Sequence, residues 1–178
     1  MLLSKGYHEI GMDHFALEKD SMCQSFKQGT LHRNFMGYTA SKTQVMIGLG
    51  ISSISDSWYS FAQNEKKLED YYARLEQNEI PVVKGHVLST EDLMIRKHIL
   101  NLMCTFTTSW ASKEMQFPEL PEVLRQLAEM QQDQLLQIDE QGITVTEQGK
   151  PFVRNICMAF DLRLKRRIPE NRIFSMTI

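Results

Sequence analysis

The apolar periodicity of the chain changes once, near Asn64, and that change rules out a fold built from a single kind of element. Upstream, short apolar runs are punctuated by glycine, as in Ile10-Gly11-Met12 and Val45-Met46-Ile47-Gly48-Leu49-Gly50-Ile51. That is a pattern of short strands. Downstream, Leu68, Tyr71, Tyr72 and Leu75 fall at i, i+3, i+4 and i+7, which predicts an amphipathic helix with Asn64 as its N-cap. The fold class that follows is α+β, strands first and helices after.

The helical part divides further. Ile80-Pro81-Val82-Val83 breaks the first helix, and Ser89-Thr90-Glu91-Asp92 is a capping-box-like start to a second. Its stripe is Ile95, Ile99, Leu102, Met103 and Phe106, with Arg96, Lys97 and His98 expected on a solvated face. Pro118 and Pro121 introduce a third helix striped by Leu120, Val123, Leu124 and Leu127. Gln137-Ile138-Asp139, a turn at Glu140-Gln141-Gly142, and Ile143-Thr144-Val145 predict a hairpin. Thr146 is the expected cap of a last helix with Phe152, Val153, Ile156, Cys157, Phe160 and Leu164 inward. Helix, helix, hairpin, helix is the order of a winged-helix module, so a stand-alone DNA- or protein-binding module is the alternative function.

Charge argues against DNA. The 178 residues hold 20 Lys plus Arg against 22 Asp plus Glu, a net charge of −2. The candidate recognition helix, Leu120 to Asp133, carries Arg125 alone against Glu122, Glu129 and Asp133. The basic cluster Arg163, Lys165, Arg166 and Arg167 lies on the final helix, where it suits the helix dipole and solvent. No nucleic-acid partner is expected. No apolar run approaches the roughly 20 residues that span a bilayer, so no membrane partner is expected and a cytoplasmic location is the default. Cys23, Cys104 and Cys157 lack close Cys or His neighbours, so no metal site is expected and the last two read as buried, inert thiols.

Candidate site residues lie upstream. Leu2-Leu3-Ser4-Lys5 reads as a helix tail stopped by Gly6, and Tyr7 to Phe15 follows as YHEIGMDHF. Helix end, Gly and strand is the passage of an αβ unit in a parallel barrel, which would set Asp13 and His14 at an active-site rim. The plainer reading is a strand end whose Asp caps a turn and whose His is partly exposed. A short helix is expected over Lys19 to Lys27. The stretch Leu31 to Ser55 mixes titratable, aromatic and glycine residues as no other window does, which marks it as a binding surface. Within it Val45 to Ile51 is the expected buried strand, and Gly48 and Gly50 would admit close approach by a ligand or another strand. Gly48-Leu49-Gly50 is not a dinucleotide fingerprint, because the third glycine and the following helix are missing.

Several of these segments, in order, resemble the oxygen-independent coproporphyrinogen III oxidases (dehydrogenases) of haem biosynthesis. They are GYHEIGMDHFAL, LHRNFMGYT, GLGISSIS, TEQGKPFVRNICMAFD and the closing FSMTI. The GMDHFA and HRNF blocks favour that branch over the related haem chaperones. The resemblance implies a radical S-adenosylmethionine enzyme: a partial (β/α) barrel holding a [4Fe–4S] cluster on Cys-x3-Cys-x2-Cys, and a mostly helical, winged-helix-like C-terminal domain over its mouth. Such an enzyme decarboxylates two propionates of coproporphyrinogen III oxidatively to vinyl groups.

This chain looks like the C-terminal portion only, with residues 1–60 the last barrel strands and 61–178 the helical domain. The cluster ligands are absent, so the chain by itself is expected to be inactive, whether it is a piece of a longer enzyme or a relic. By the resemblance, Phe35 and Ile54 sit beside S-adenosylmethionine, and Met36 replaces a usual Gln at the same cavity. His14 and Asp13 match family motifs near the substrate. Arg33 either holds a substrate carboxylate or pairs with Asp13 or another carboxylate.

Overall fold

In the computed structural model, which describes residues 1–166, all four sheets are small and antiparallel. A 3₁₀ turn over Leu3–Lys5 ends at left-handed Gly6, as the Leu-Leu-Ser-Lys-Gly run predicts. β1 (Tyr7–Gly11) then pairs with β2 (His14–Leu17) as a hairpin. The parallel strand expected here is therefore not formed. Met12 and Asp13 take φ of 43° and 65°, the geometry of a tight type I′ turn that reverses the chain. α1 (Ser21–Lys27) starts on Asp20, whose carboxylate accepts the Met22 N–H. β3 (His32–Asn34) and β4 (Gly37–Thr39) form a second hairpin.

The apolar run from Val45 is a strand for only two residues, β5 (Val45–Met46). Ile47 and Leu49 beyond it are 73% and 85% exposed, so the buried strand expected over Val45 to Ile51 is not formed. The reason lies at Gly48, where an added Cβ would stand 2.8 Å from the Ile54 carbonyl oxygen. The chain loops back on itself there, and the close approach is its own. β6 (Ile54–Ser57), β7 (Ser60–Asn64) and β8 (Val82–Val87) complete a sheet in the order β5-β6-β7-β8, which runs across residue 60. Asn64 does not cap a helix. It is buried at the end of β7 and its amide donates to the carbonyls of Gly48 and Gly50, satisfying loop acceptors that have no strand partner. α2 (Leu68–Glu76) begins after Lys67, and its stripe of Leu68, Tyr72 and Leu75 is largely exposed.

The remaining elements hold the core. α3 (Thr90–Thr105) opens with a complete Ser89/Asp92 capping box and ends at left-handed Phe106. β9 (Thr107–Ser109), α4 (Leu120–Gln132), β10 (Leu136–Ile138) and β11 (Gly142–Val145) follow, with the strands ordered β10-β11-β9. Thr146 accepts the Gly149 N–H and donates to the Gln134 and Leu135 carbonyls. A 3₁₀ turn at Lys150–Phe152 then leads into α5 (Val153–Ala159) and α6 (Leu162–Arg166). Helix, helix, hairpin, helix is thus the order found. Phe152 departs from the expected stripe and is 45% exposed, because it belongs to the turn and not to the helix.

α3 packs against β3, β9 and α5, which narrows its solvated face to the strip of Lys97, Asn101 and Thr105. This overturns the expectation for Arg96 and His98; of the trio only Lys97 is exposed. His98 is fully buried, stacked on Phe160 at 5.2 Å. Its Nε2–H donates to the Met115 carbonyl at 2.9 Å, and Nδ1 accepts from the Thr108 hydroxyl at 2.8 Å. The basic cluster is not merely solvated either. Arg163 grips Asp92 with two bonds of 2.6 and 2.8 Å, and Arg166 binds Glu91 and Glu119. Both tie α6 to the start of α3. Arg167 lies outside the described residues.

Two outcomes test this packing. Burial pushes the His98 imidazole below its ordinary value of 6.5, so its contribution to stability is complete above that pH and is lost as pH falls toward the lowered value. His32 is shifted the same way by burial and by Lys42 and Arg96. The melting temperature should therefore fall between pH 7 and pH 5, and by less in His98→Gln; an unchanged pH dependence in that variant would contradict the assignment. At Gly149, a Cβ would meet the Leu135 carbonyl oxygen at 1.7 Å. Gly149→Ala should cost about 3 kcal/mol in urea unfolding.

Candidate functional site

A cavity of about 720 Å³ opens between the β3 hairpin, the β6–β8 sheet, and α3, α5 and α6. Met12, Ile95, Ile99, Leu100, Met103, Cys157 and Leu162 make it largely apolar. Arg33, Phe35, Asp56, Arg96, Arg154 and Arg163 bring in charge and one exposed ring.

The wall on the strand side is built around Tyr38. This ring is buried, and its hydroxyl donates to the Met103 carbonyl at 2.8 Å. Burial pushes its pKa up to about 12, so it stays a neutral donor. The Arg33 guanidinium lies 4.6 Å over the ring, and His14 meets it edge-on at 5.1 Å. His14 donates Nδ1–H to the Met12 carbonyl, which turns Nε2 toward Gly37. The expected Arg33–Asp13 ion pair does not form among the described residues. Asp13 stands exposed at the tip of the first hairpin, and one Arg33 Nη is buried with no hydrogen-bond partner. Arg33 is among the residues that line the cavity.

Phe35 is 53% exposed and rests edge-on against Phe61 at 5.1 Å. Its turn is fixed by Asn34, whose side chain accepts the Met36 N–H. Met36 is 84% exposed. Ile54 shares one face of β6 with Asp56 by strand alternation, and Asp56 pairs in register with Phe61. Of the six residues marked by sequence, Arg33 and Phe35 line the cavity, whereas Asp13, His14, Met36 and Ile54 do not.

The floor between the two sides is fixed by an ion pair that the sequence does not reveal. Arg96 from α3 makes two 2.9 Å bonds to Asp56 on β6, donates also to the Ser57 and Trp58 carbonyls, and lies over the Trp58 and Phe61 rings. The two side chains are 14% and 8% exposed. Such a pair costs much to break on one side only. The available signal was positional: Arg96 and Met103 are i and i+7 on α3, with Ile99 and Leu100 between them on the same face. His86 and Arg163 carried no such signal.

Metal chemistry fits poorly. His8, Glu18 and Cys23 bring ligand atoms within 4.8 Å of one another. Glu18, however, is already bound by His8 at 2.6 Å and by Lys27 at 2.5 Å, and the ammonium charge opposes a cation there. An iron–sulfur cluster needs three neighbouring thiolates. Instead all three cysteines are buried and free, and burial pushes Cys104 and Cys157 up to about 11 and 12. The residues present do not fit that group.

A model of the HemN C-terminal domain matches residues 88–152. The oxygen-independent coproporphyrinogen III oxidase of Escherichia coli is 37% identical over 171 residues, covering 93% of this chain and 37% of that enzyme. The corresponding protein of Synechocystis is 36% identical, covering 99% of this chain and 40% of its own length. The solved structure of coproporphyrinogen III oxidase (HemN) from Escherichia coli, described as a radical SAM enzyme, superposes with a TM-score of 0.83 at 36% identity, over 92% of this chain and 39% of that one. This chain is homologous to the C-terminal portion of oxygen-independent coproporphyrinogen III oxidase. It spans about two fifths of the length of these HemN relatives or less.

The Arg96–Asp56 pair carries a direct test. Asp56→Ala should lose about 3–5 kcal/mol in urea unfolding, because the guanidinium is left buried and uncompensated. Adding Arg96→Met should recover a substantial part of that loss. A double variant no more stable than the single one would show that the pair is not what joins α3 to the sheet.

Proposed function

We propose that this chain is the C-terminal part of an oxygen-independent coproporphyrinogen III dehydrogenase, and that its cavity forms one wall of the substrate chamber. The observation that carries this reading is Arg33, a guanidinium with an unsatisfied buried donor beside an apolar cavity, in a chain homologous to such enzymes. Coproporphyrinogen III joins an apolar tetrapyrrole body to propionate carboxylates. The lining offers an apolar floor for the first and a fork-shaped donor for the second.

In the complete enzyme the [4Fe–4S] cluster and S-adenosylmethionine supply the radical chemistry, with the cluster held by residues other than this chain's cysteines. The part left to these residues is binding and exclusion. Arg33, held over Tyr38, would fix one carboxylate in place. Phe35 and Ile54 would present apolar surface to S-adenosylmethionine, with Phe61 setting the tilt of Phe35. Met36 offers no amide where the family has Gln, so the contact there would be apolar. His14 would set the position of the Arg33–Tyr38 pair from behind, and Asp13 would serve the hairpin turn. The exposed Ile47, Leu49, Ile80 and Val87 provide apolar surface against which the remainder of such an enzyme could pack.

A chimera tests this reading. The matching segment of the Escherichia coli enzyme is replaced by residues 1–178, the cluster is reconstituted, and vinyl product and S-adenosylmethionine cleavage are measured. Conversion is expected, reduced at least tenfold by Arg33→Gln. The 178-residue chain alone, given iron, sulfide and reductant, should form no deoxyadenosine. A chimera with an intact cluster and no conversion, or cleavage by the isolated chain, would overturn the proposal.

A further inference from the structure

The charges around the cavity are not evenly matched. Of its arginines, Arg96 is taken by Asp56 and Arg163 by Asp92, each through two bonds. Glu91 is neutralised by Arg166, and Asp161 accepts the Leu164 N–H at the start of α6. Among the described residues Arg33 and Arg154 have no carboxylate partner. Both line the same cavity from different elements, Arg33 from β3 and Arg154 from the first turn of α5.

Arg154 is directed there by helix geometry. Arg154, Cys157 and Met158 follow at i, i+3 and i+4 on α5, and all three line the cavity. The opposite face of α5, with Val153 and Ile156, is fully buried in the core, so the helix cannot roll Arg154 away. Cys157, between Arg154 and the Arg33 side, is held as a neutral thiol by burial and offers no competing anion. Two guanidiniums that, among the described residues, have no carboxylate partner, on the wall of one largely apolar cavity, make a site for a flat apolar body bearing more than one carboxylate.

We infer that Arg154 is a second carboxylate anchor of this cavity, binding a propionate of the tetrapyrrole other than the one held by Arg33. This rests on the reading of the cavity as a substrate wall. It assigns α5 a specificity role: a ligand with a carboxylate at one edge only would satisfy Arg33 or Arg154, but not both.

The test uses the full 178-residue chain and coproporphyrin III, the stable oxidised tetrapyrrole with the same four propionates, followed by porphyrin absorbance and fluorescence. The uncharged coproporphyrin tetramethyl ester is the second probe. Arg154→Gln and Arg33→Gln should each weaken coproporphyrin binding about tenfold, the size expected for a charge-assisted bond lost at a partly open site. Arg154→Lys should fall between Arg154→Gln and the parent chain, since it keeps the charge and loses the fork. Neither glutamine variant should change binding of the ester. Circular dichroism confirms folding, which exposed Arg154 is not expected to affect. If Arg154→Gln binds like the parent while Arg33→Gln is weakened, the second anchor is wrong and the substrate wall stands. If the parent binds no coproporphyrin, or binds acid and ester alike, the substrate wall fails and the anchor with it.

Discussion

The fold depends on one buried ion pair. Arg96 and Asp56 are forty positions apart, and their two 2.9 Å bonds join the longest helix to the largest sheet. α3 is packed by strands, by α5 and by the His98–Phe160 stack, so the pair fixes the sheet relative to the whole C-terminal core. The cavity is the space left between those two bodies. Its shape therefore follows from an interaction in its own wall. The aromatic rings under the guanidinium, Trp58 and Phe61, carry that position on to Phe35.

The same pairing decides which charges remain available. Carboxylates at the cavity are drawn off by Arg96, Arg163 and Arg166, or spent on a helix start in the case of Asp161. Asp92 illustrates how strongly. With Arg163 and the Ser89 donors on it, its pKa lies far below the usual carboxylate range. Arg33 is left against a neutral ring, and Arg154 on an outer turn. The distribution suits recognition of an acidic ligand. On α4, Arg125 too is paired, with Glu122.

What the sequence made legible was local. The Ser89 capping box, the proline-led α4 and the β10–β11 hairpin each rest on residues within a few positions of one another, and all are found. Asn64, Arg96, His98, Arg163 and Arg166 were misjudged for the opposite reason. Their partners lie from 10 to 75 residues away, and no period announces them. The first hairpin was missed because its turn uses Met12 at positive φ, which that residue type rarely adopts. The HRNF block identified Arg33 and Phe35 through resemblance, and the structure places both at the cavity. It could not have separated them from Met36 or Asp13, whose burial is set by turn geometry.

The central claim is that Arg33 faces an acidic tetrapyrrole. The most direct measurement is side-chain ¹⁵N NMR of the 178-residue chain during titration with coproporphyrin III. The Arg33 guanidinium resonance is expected to shift saturably, while that of Arg96, locked on Asp56, stays in place. An Arg33 signal that does not move while porphyrin binds would contradict the account.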